Sequence, residues 1–308
     1  MGQPVSFRAL KTKIGHVTLG VKKTGCTVLL FDEPSVCSGH VAGGAPGTRD
    51  GDMLDPSCLV EKANAIVLTG GSAFGLATAD GVMRFLSERG VGFAVGSDRV
   101  PIVPAAVIYD RGVGEATYPS AKDGYRACLN AGYSADKSGP IGVGCGATVG
   151  KFSKKLRPSP GGFGAVCLRT RAGVYVGAVV AVNAFGNVVD PDGGNLICGA
   201  MDKRGKIVSF GSAIVSGRAG ENTTIGAVVT NAGLTKSQAK RISMCAHDGL
   251  ARAVFPCHTI YDGDTIYAVS TGKVRADMVE LGAVAVRAVE LAVLKAVGGN
   301  KIESRIQK

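Results

Sequence analysis

The chain has 308 residues, of which 45% are hydrophobic and 19% are charged, so it can bury a sizeable core and is not a disordered chain. Its formal net charge is +11, but the basic clusters are short and aromatic residues do not interleave with them, which argues against a nucleic-acid partner. No apolar run is long enough to cross a bilayer, so we expect no membrane partner.

The nine cysteines occur singly, and the four histidines show no metal-ligand spacing. Most of the cysteines lie in apolar runs, so we expect them to be reduced core residues of a cytoplasmic protein. The first residues also lack the charged and then apolar pattern of a secretory signal. The sequence therefore predicts neither a bound metal nor a cofactor.

The first part of the chain predicts strands separated by glycine-rich turns. Residues 27–31 and 65–68 are apolar runs typical of buried strands. Residues 76–86 then carry apolar side chains at helical spacing, with Ser72 as the expected N-cap. Residues 103–108 indicate a further strand or loop.

The middle of the chain predicts a short helix at residues 125–131 and a central strand at residues 175–183. Residues 142–151 are so rich in glycine that their backbone must approach another strand or a ligand closely. Another strand is expected at residues 188–189. Residues 211–220 are small and polar, the kind of segment in which a chain break is tolerated.

The last part predicts a helix that Thr235 caps and that extends to about Val254, since Pro256 cannot continue it. A turn then leads into a strand at residues 265–270. A final helix, at about residues 274–297, has one apolar face and should cover a sheet. With no internal repeat and no long linker, we predict a single α/β domain over residues 1–308.

The strand, glycine turn and helix around Ser72 are similar to two catalytic motifs, and the residues exclude both. A nucleophile elbow needs glycine two residues after its serine, where this chain has Phe74. A Walker loop needs lysine after its second glycine, and none follows Gly75. Residues 145–152 come nearest to a Walker loop but lack its first glycine and its final hydroxyl. Nucleotide binding is therefore not the primary function.

Seven segments spread over nearly the whole chain occur together in one known family. They are residues 43–49, 68–76, 106–110, 146–151, 182–186, 222–226 and 258–265. On these segments the chain resembles the L-aminopeptidase/D-esterase (β-peptidyl aminopeptidase) family, which includes the nylon-oligomer hydrolases. Without that resemblance, residues 220–230 predict only a polar turn that leads into an apolar strand.

The resemblance implies a four-layer αββα sandwich similar to that of N-terminal nucleophile hydrolases. It also implies self-cleavage between Asn222 and Thr223, which gives an α chain of residues 1–222 and a β chain of residues 223–308. These αβ units are expected to form a homo-oligomer such as a tetramer. The Asn222–Thr223 pair and the two carboxylates Asp262 and Asp264 are similar to those of the nylon hydrolases.

The same resemblance assigns the reacting groups. Thr223 is the expected nucleophile, and its free α-amine, with a pKa near ~8, is the base for its own hydroxyl. Lys151 is expected to lower the pKa of that amine or to hold the hydroxyl. His258 has no role in this scheme, and we expect it to be structural.

Four further residues complete the predicted site. Asn183 is expected to offer its amide N–H to the oxyanion, with the Tyr109 hydroxyl as a second donor. Asp262 and Asp264 are two positions apart at a strand entrance, so both can point to one face. They are expected to orient the Thr223 amine and Lys151.

These residues predict a hydrolase of small peptide or amide substrates, an aminopeptidase or amidase that acts through an acyl-enzyme. One alternative is an endo-acting hydrolase of 6-aminohexanoate oligomers. A second is an acyltransferase that passes the same acyl group to an amine. A third is a binding protein without catalytic activity.

Overall fold

The architecture comprises sixteen strands and four α-helices among the residues that the computed structural model describes, which are 6–21, 23–115, 117–212 and 222–298. The strands are β1 (Thr12–Leu19), β2 (Thr24–Val41), β3 (Thr48–Arg49), β4 (Lys62–Thr69), β5 (Phe93–Val95), β6 (Asp98–Val100), β7 (Ala105–Val107), β8 (Thr148–Val149), β9 (Ser159–Pro160), β10 (Gly162–Arg169), β11 (Tyr175–Asn183), β12 (Asn187–Val189), β13 (Leu196–Cys198), β14 (Thr223–Ala232), β15 (Val254–Phe255) and β16 (Thr265–Val274). The helices are α1 (Thr78–Ser87), α2 (Ala121–Leu129), α3 (Lys236–Ala253) and α4 (Met278–Gly298). None of these helices is long and apolar enough to cross a membrane.

Nine strands form one mixed sheet in the order β10-β11-β14-β16-β2-β4-β7-β3, with β1 also paired to β2. β14 pairs in parallel with β16, and β4 in parallel with β7. β2 is 18 residues long, and its register with β4 shifts between Leu30 and Ser35. Its N-terminal part pairs with β1 and its C-terminal part with β16, so β2 belongs to both halves of the sheet.

Three apolar clusters divide the molecule into four layers. Along β11, Val180 packs in the cluster beneath α3 and α4, whereas Ala181 packs in the middle cluster. Along β2, Leu29 packs in the middle cluster, whereas Val28 packs in the cluster beneath α1 and α2. Successive side chains of a strand face opposite sides of a sheet, so each half of the sheet is buried on both faces. One half lies between α3 and α4 and the middle cluster, and the other lies between the middle cluster and α1 and α2. The fold is therefore the predicted αββα sandwich.

Several features predicted from strong local sequence patterns are present in the structure. β11 has the predicted bounds, residues 175–183. Thr235 caps α3 in a capping box with Gln238, since the Thr235 side chain accepts the Gln238 N–H and the Gln238 side chain accepts the Thr235 N–H. The predicted close approach of residues 142–151 is also present: a Cβ on Gly146 would lie 1.9 Å from the Lys23 carbonyl oxygen. All nine cysteines are free, but only Cys26, Cys37 and Cys128 are buried, so most of them are not the core residues that were expected.

Three element boundaries differ from the prediction. Ser72 makes no capping hydrogen bond, because its backbone is left-handed (φ 57°) and a 3₁₀ turn, Ser72–Ala77, precedes α1. α2 begins before residue 125 because Ser120 and Asp123 form a capping box. Val274 belongs to β16, since α4 begins only after Asp277, whose carboxylate accepts the N–H of Val279. Most of the segment predicted to tolerate a chain break, residues 213–220 of 211–220, lies outside the described residues.

The topology brings several strand ends together at one end of the sheet. β11 ends at Asn183 beside Thr223, the first residue of β14, because the two strands are antiparallel. β16 runs parallel to β14, so the residues before Thr265 approach those before Ile225, and Asn222 forms a bridge with Asp262. Residues far apart in the chain therefore meet around Thr223.

Candidate active site

Thr223 is buried at the start of β14, with 6% of its surface exposed. Its hydroxyl donates a short hydrogen bond to the carbonyl oxygen of Asn222, the residue before it. The same carbonyl accepts the Gly263 N–H at 3.0 Å. The Asn222–Thr223 peptide bond thus has a hydroxyl on one side and a backbone donor on its carbonyl oxygen.

Lys151 and Asn183 are in direct contact on the β11 side of Thr223. The Lys151 Nζ donates to the Asn183 Oδ1 at 2.8 Å and to the Asn183 carbonyl oxygen at 3.0 Å. The Thr148 N–H also donates to Oδ1, at 3.0 Å. These donors orient the amide, so its oxygen faces the lysine and its nitrogen points the other way.

Tyr109 meets this cluster through its backbone. Its carbonyl oxygen accepts a hydrogen bond from the Asn183 Nδ2 at 3.1 Å. The half-buried Tyr109 side chain lines a pocket together with Thr148, Lys151 and Lys154. The role of Asn183 and of the Tyr109 hydroxyl as oxyanion donors stays a prediction, and one N–H of the Asn183 amide is directed to a protein carbonyl here.

Asp262 and Asp264 are both nearly fully buried on the β16 side of Thr223. Asp262 accepts hydrogen bonds from the Thr259 N–H and hydroxyl, at 2.9 and 2.6 Å, and from the Phe185 N–H at 3.3 Å. Asp264 accepts the Thr224 N–H at 2.6 Å. These hydrogen bonds fix the backbone around Thr223, and the orientation of the Thr223 amine and of Lys151 by the two carboxylates stays a prediction.

The two carboxylates have opposite pKa shifts. Burial and the neighbouring Asp264 charge raise the pKa of Asp262 to about 6. Burial also acts to raise the pKa of Asp264, but the hydrogen bond and the charge of His258, with the Thr224 N–H, lower it below its usual value. Asp264 therefore stays ionised to a lower pH than Asp262 does.

Two residues that the sequence analysis left without a catalytic role, His258 and Gly263, also lie against the predicted site residues. The His258 Nδ1 lies 2.7 Å from the Asp264 Oδ2, an ion pair when the imidazole is protonated. At Gly263 a Cβ would lie 2.8 Å from the Thr223 hydroxyl oxygen and 2.6 Å from the Ala45 carbonyl oxygen, so only glycine fits there. The Asp-Gly-Asp sequence at residues 262–264 could have indicated a tight turn at Gly263. No periodic pattern indicates where the side chain of His258 points.

Cys257, His258 and Asp264 also present ligand atoms that lie within 4.8 Å of one another, a type of grouping that can hold a metal ion. The Cys257 Sγ lies 3.4 Å from both the His258 Nδ1 and the Asp264 Oδ2. The cysteine and histidine are adjacent in the chain, so ligand spacing in the sequence did not indicate this group. Hydrogen bonds among the three side chains account for their proximity.

Comparison with known proteins identifies the class. Residues 11–303 match the model of peptidase family S58, and the chain belongs to that family. An uncharacterized aminopeptidase of Mycobacterium tuberculosis is 41% identical over 262 residues, which cover 81% of this chain and 74% of that protein. The 6-aminohexanoate-oligomer endohydrolase of Kocuria sp. (strain KY2) is 31% identical over 281 residues, covering 82% of this chain and 78% of that enzyme.

Solved structures agree with the fold. A Burkholderia sp. β-aminopeptidase superposes with a TM-score of 0.72 at 21% identity, covering 96% of this chain and 88% of that one. The L-aminopeptidase D-Ala-esterase/amidase of Ochrobactrum anthropi, described as a variant of the Ntn hydrolase fold, gives 0.69 at 17% identity, covering 98% and 90%. The predicted family is confirmed, and the chain is a hydrolase of the peptidase class.

Proposed function

We propose that the protein is a self-processing hydrolase that uses Thr223 as an N-terminal nucleophile, as an aminopeptidase or amidase on small peptides or amides. The observation that carries this proposal is the contact of the Thr223 hydroxyl with the Asn222 carbonyl, which also accepts the Gly263 N–H. A hydroxyl next to a buried peptide carbonyl that already accepts a backbone N–H supplies the attacking group and the oxyanion donor of an intramolecular acyl shift.

In the processing step the Thr223 oxygen attacks the Asn222 carbonyl carbon, and the Gly263 N–H donates to the developing oxyanion. The C–N bond then breaks, and the hydroxyl proton passes to the departing Thr223 nitrogen. Water hydrolyses the resulting ester, leaving the Asn222 carboxylate and a free Thr223 amine. A backbone donor of this kind lowers such a barrier by roughly 3 kcal/mol.

In the hydrolytic reaction the free amine takes the proton of the Thr223 hydroxyl as that oxygen attacks the substrate amide. Lys151, held by Asn183, places a positive charge beside the amine, which favours its unprotonated form near neutral pH. The substrate nitrogen leaves with the proton, and water then hydrolyses the acyl-enzyme. The pocket beside Tyr109 and Lys151 is the proposed place for the substrate.

A second candidate is the endo-hydrolysis of 6-aminohexanoate oligomers, favoured by the 31% identity to an enzyme of that name over 82% of the chain. Release of product from a linear oligomer, but not from amino-acid anilides, would select this alternative. An acyltransferase would require an amine acceptor for product formation, so hydrolysis without added amine separates it from both hydrolases.

Intact-mass measurement tests the proposal. We expect two fragments for the wild type, residues 1–222 and 223–308, and one chain for Thr223→Ala. The matched control is Thr224→Ala, which removes the next buried hydroxyl and should still be cleaved. An uncut wild type that hydrolyses amides would contradict the mechanism.

A further inference from the structure

We propose that His258 is a positioning residue for Thr223, acting through the Asp264 carboxylate that both His258 and the Thr224 N–H contact. The inference rests on the proposed function, because it concerns how the nucleophile of that site is held. His258 does not touch the reacting bond and has no role in the catalytic scheme that the sequence predicts.

A single carboxylate links the two residues. The Asp264 Oδ2 accepts the backbone N–H of His258 at 3.1 Å and lies 2.7 Å from its Nδ1. The other oxygen, Oδ1, accepts the Thr224 N–H at 2.6 Å. The Thr224 N–H belongs to the first peptide group after the nucleophile, so Asp264 determines where that peptide plane lies.

This restraint becomes more important after cleavage. In the uncut chain Thr223 is held by covalent bonds on both sides, and cleavage removes the bond to Asn222. The new terminus is then located by the pairing of β14 with its neighbours and by the Asp264–Thr224 contact. A displacement of about 1 Å at a reacting group costs roughly 100-fold in rate.

Asp264 needs His258 because a buried carboxylate must be paired to remain charged. Asp264 is 1% exposed. The His258 ring offers its second nitrogen to the His247 carbonyl oxygen at 3.4 Å, so both ring nitrogens face acceptors, as a cationic imidazolium requires. Although burial acts to lower the pKa of His258, its hydrogen bond to Asp264 and the charge of Asp264 raise it overall.

The other titratable groups around the ring do not replace this pair. His247, on α3, packs against His258 with ring centroids 4.8 Å apart, and burial lowers the pKa of His247 to about 4, so it is neutral. His40, on β2, contacts the His247 ring, and burial and the Lys240 charge lower its pKa. Burial raises the pKa of the adjacent Cys257 thiol, which therefore also stays neutral. Asp262, whose pKa is raised, is the remaining acid near the ring.

The backbone at His258 provides a matched pair of variants. Its φ is 56°, a left-handed conformation that asparagine and aspartate adopt with little strain. H258N keeps a side-chain N–H donor for Asp264, whereas H258D replaces that donor with a second carboxylate. The two variants therefore differ in whether residue 258 can donate a hydrogen bond to Asp264, whereas both side chains tolerate the left-handed backbone at that position.

We expect H258N to self-cleave and to keep kcat within about tenfold of the wild type, and H258D to lose roughly 100-fold in kcat with little change in KM. In H258N the acid limb of the kcat–pH profile should move to higher pH, because a neutral amide no longer offsets the Asp264 charge and its pKa rises. H40N is the control, since His40 touches His247 but not Asp264, and its profile should match the wild type.

Equal kcat and an unchanged pH profile in H258D and H258N would overturn the proposal. If H258D fails to fold, the acid limb of H258N alone decides, and an unshifted limb overturns it. Failure of the proposed function is visible separately, as an uncut wild type or an active Thr223→Ala. The same set of variants therefore distinguishes failure of the His258 proposal from failure of the proposed function.

Discussion

The two sides of Thr223 differ in their exposure and in the partners of their polar side chains. On the β11 side, Lys151 and Asn183 contact each other next to an open pocket. On the β16 side, Asp262 and Asp264 are buried, and their hydrogen bonds go mainly to backbone N–H groups. Under the proposed function, the open side meets the substrate and the buried side holds Thr223 in place.

The largest effect should come from removing the cation on the open side. We expect Lys151→Met to lower kcat by roughly 10³- to 10⁴-fold, since the positive charge proposed to act on the Thr223 amine is lost. Hydrolysis of an amino-acid p-nitroanilide measures this. Lys154→Met is the control, because Lys154 lines the same pocket and its loss should change mainly KM. Equal losses of kcat in both variants would contradict a specific role for Lys151.

The next largest effect should come from the amide on the same side. We expect Asn183→Ala to lower kcat by roughly 10²- to 10³-fold through loss of an oxyanion donor, with the fold retained. Thr148→Val is its control, since the Thr148 N–H that contacts Asn183 remains. A variant with normal kcat and a raised KM would reassign Asn183 to substrate binding.

On the buried side, a small added group should slow processing. In Gly263→Ala the new Cβ would lie 2.8 Å from the Thr223 hydroxyl oxygen, and we expect self-cleavage to slow by roughly 100-fold. Gly132→Ala is the control, because a Cβ there meets nothing within 4 Å. Cleavage is followed by denaturing electrophoresis over time, and wild-type kinetics for Gly263→Ala would argue against close packing at the scissile bond.

The smallest effect is on the pH dependence of the free energy of unfolding, measured in the uncut Thr223→Ala variant. Burial and the Asp264 charge raise the pKa of Asp262 from 3.8 to about 6, so the folded state binds the proton more tightly. Stability from this group is complete below pH 4 and declines as the pH rises to about 6, by roughly 3 kcal/mol at most.

Asp262→Asn removes that decline. The Tm difference, variant minus parent, should therefore rise by roughly 3 to 6 °C between pH 4 and pH 7. Thermal unfolding followed by circular dichroism measures it. Asp277→Asn serves as the control at an exposed carboxylate, and a Tm difference for Asp262→Asn that stays constant with pH would show that Asp262 ionises normally.

Secondary structure was predicted correctly where it depends on neighbouring residues, and less well where it depends on the conformation of a loop. The alternation of β11 and the capping box at Thr235 arise from neighbouring residues, and both appeared as expected. Ser72 has a residue type typical of an N-cap, but its left-handed backbone directs it away from that role. The family resemblance named Thr223, Lys151 and Asn183, and the structure places the last two in contact.

The sequence by itself determined the four helices, several of the strands and the residue types of the site, because hydrophobic periodicity and capping are short-range. Only the tertiary structure decided that Asn183 lies beside Thr223, forty positions later in the chain, since strand pairing makes them neighbours. It likewise decided that His258 meets Asp264, because the direction of a loop side chain depends on what packs around it. Pairing and packing join distant residues, and no local rule encodes them.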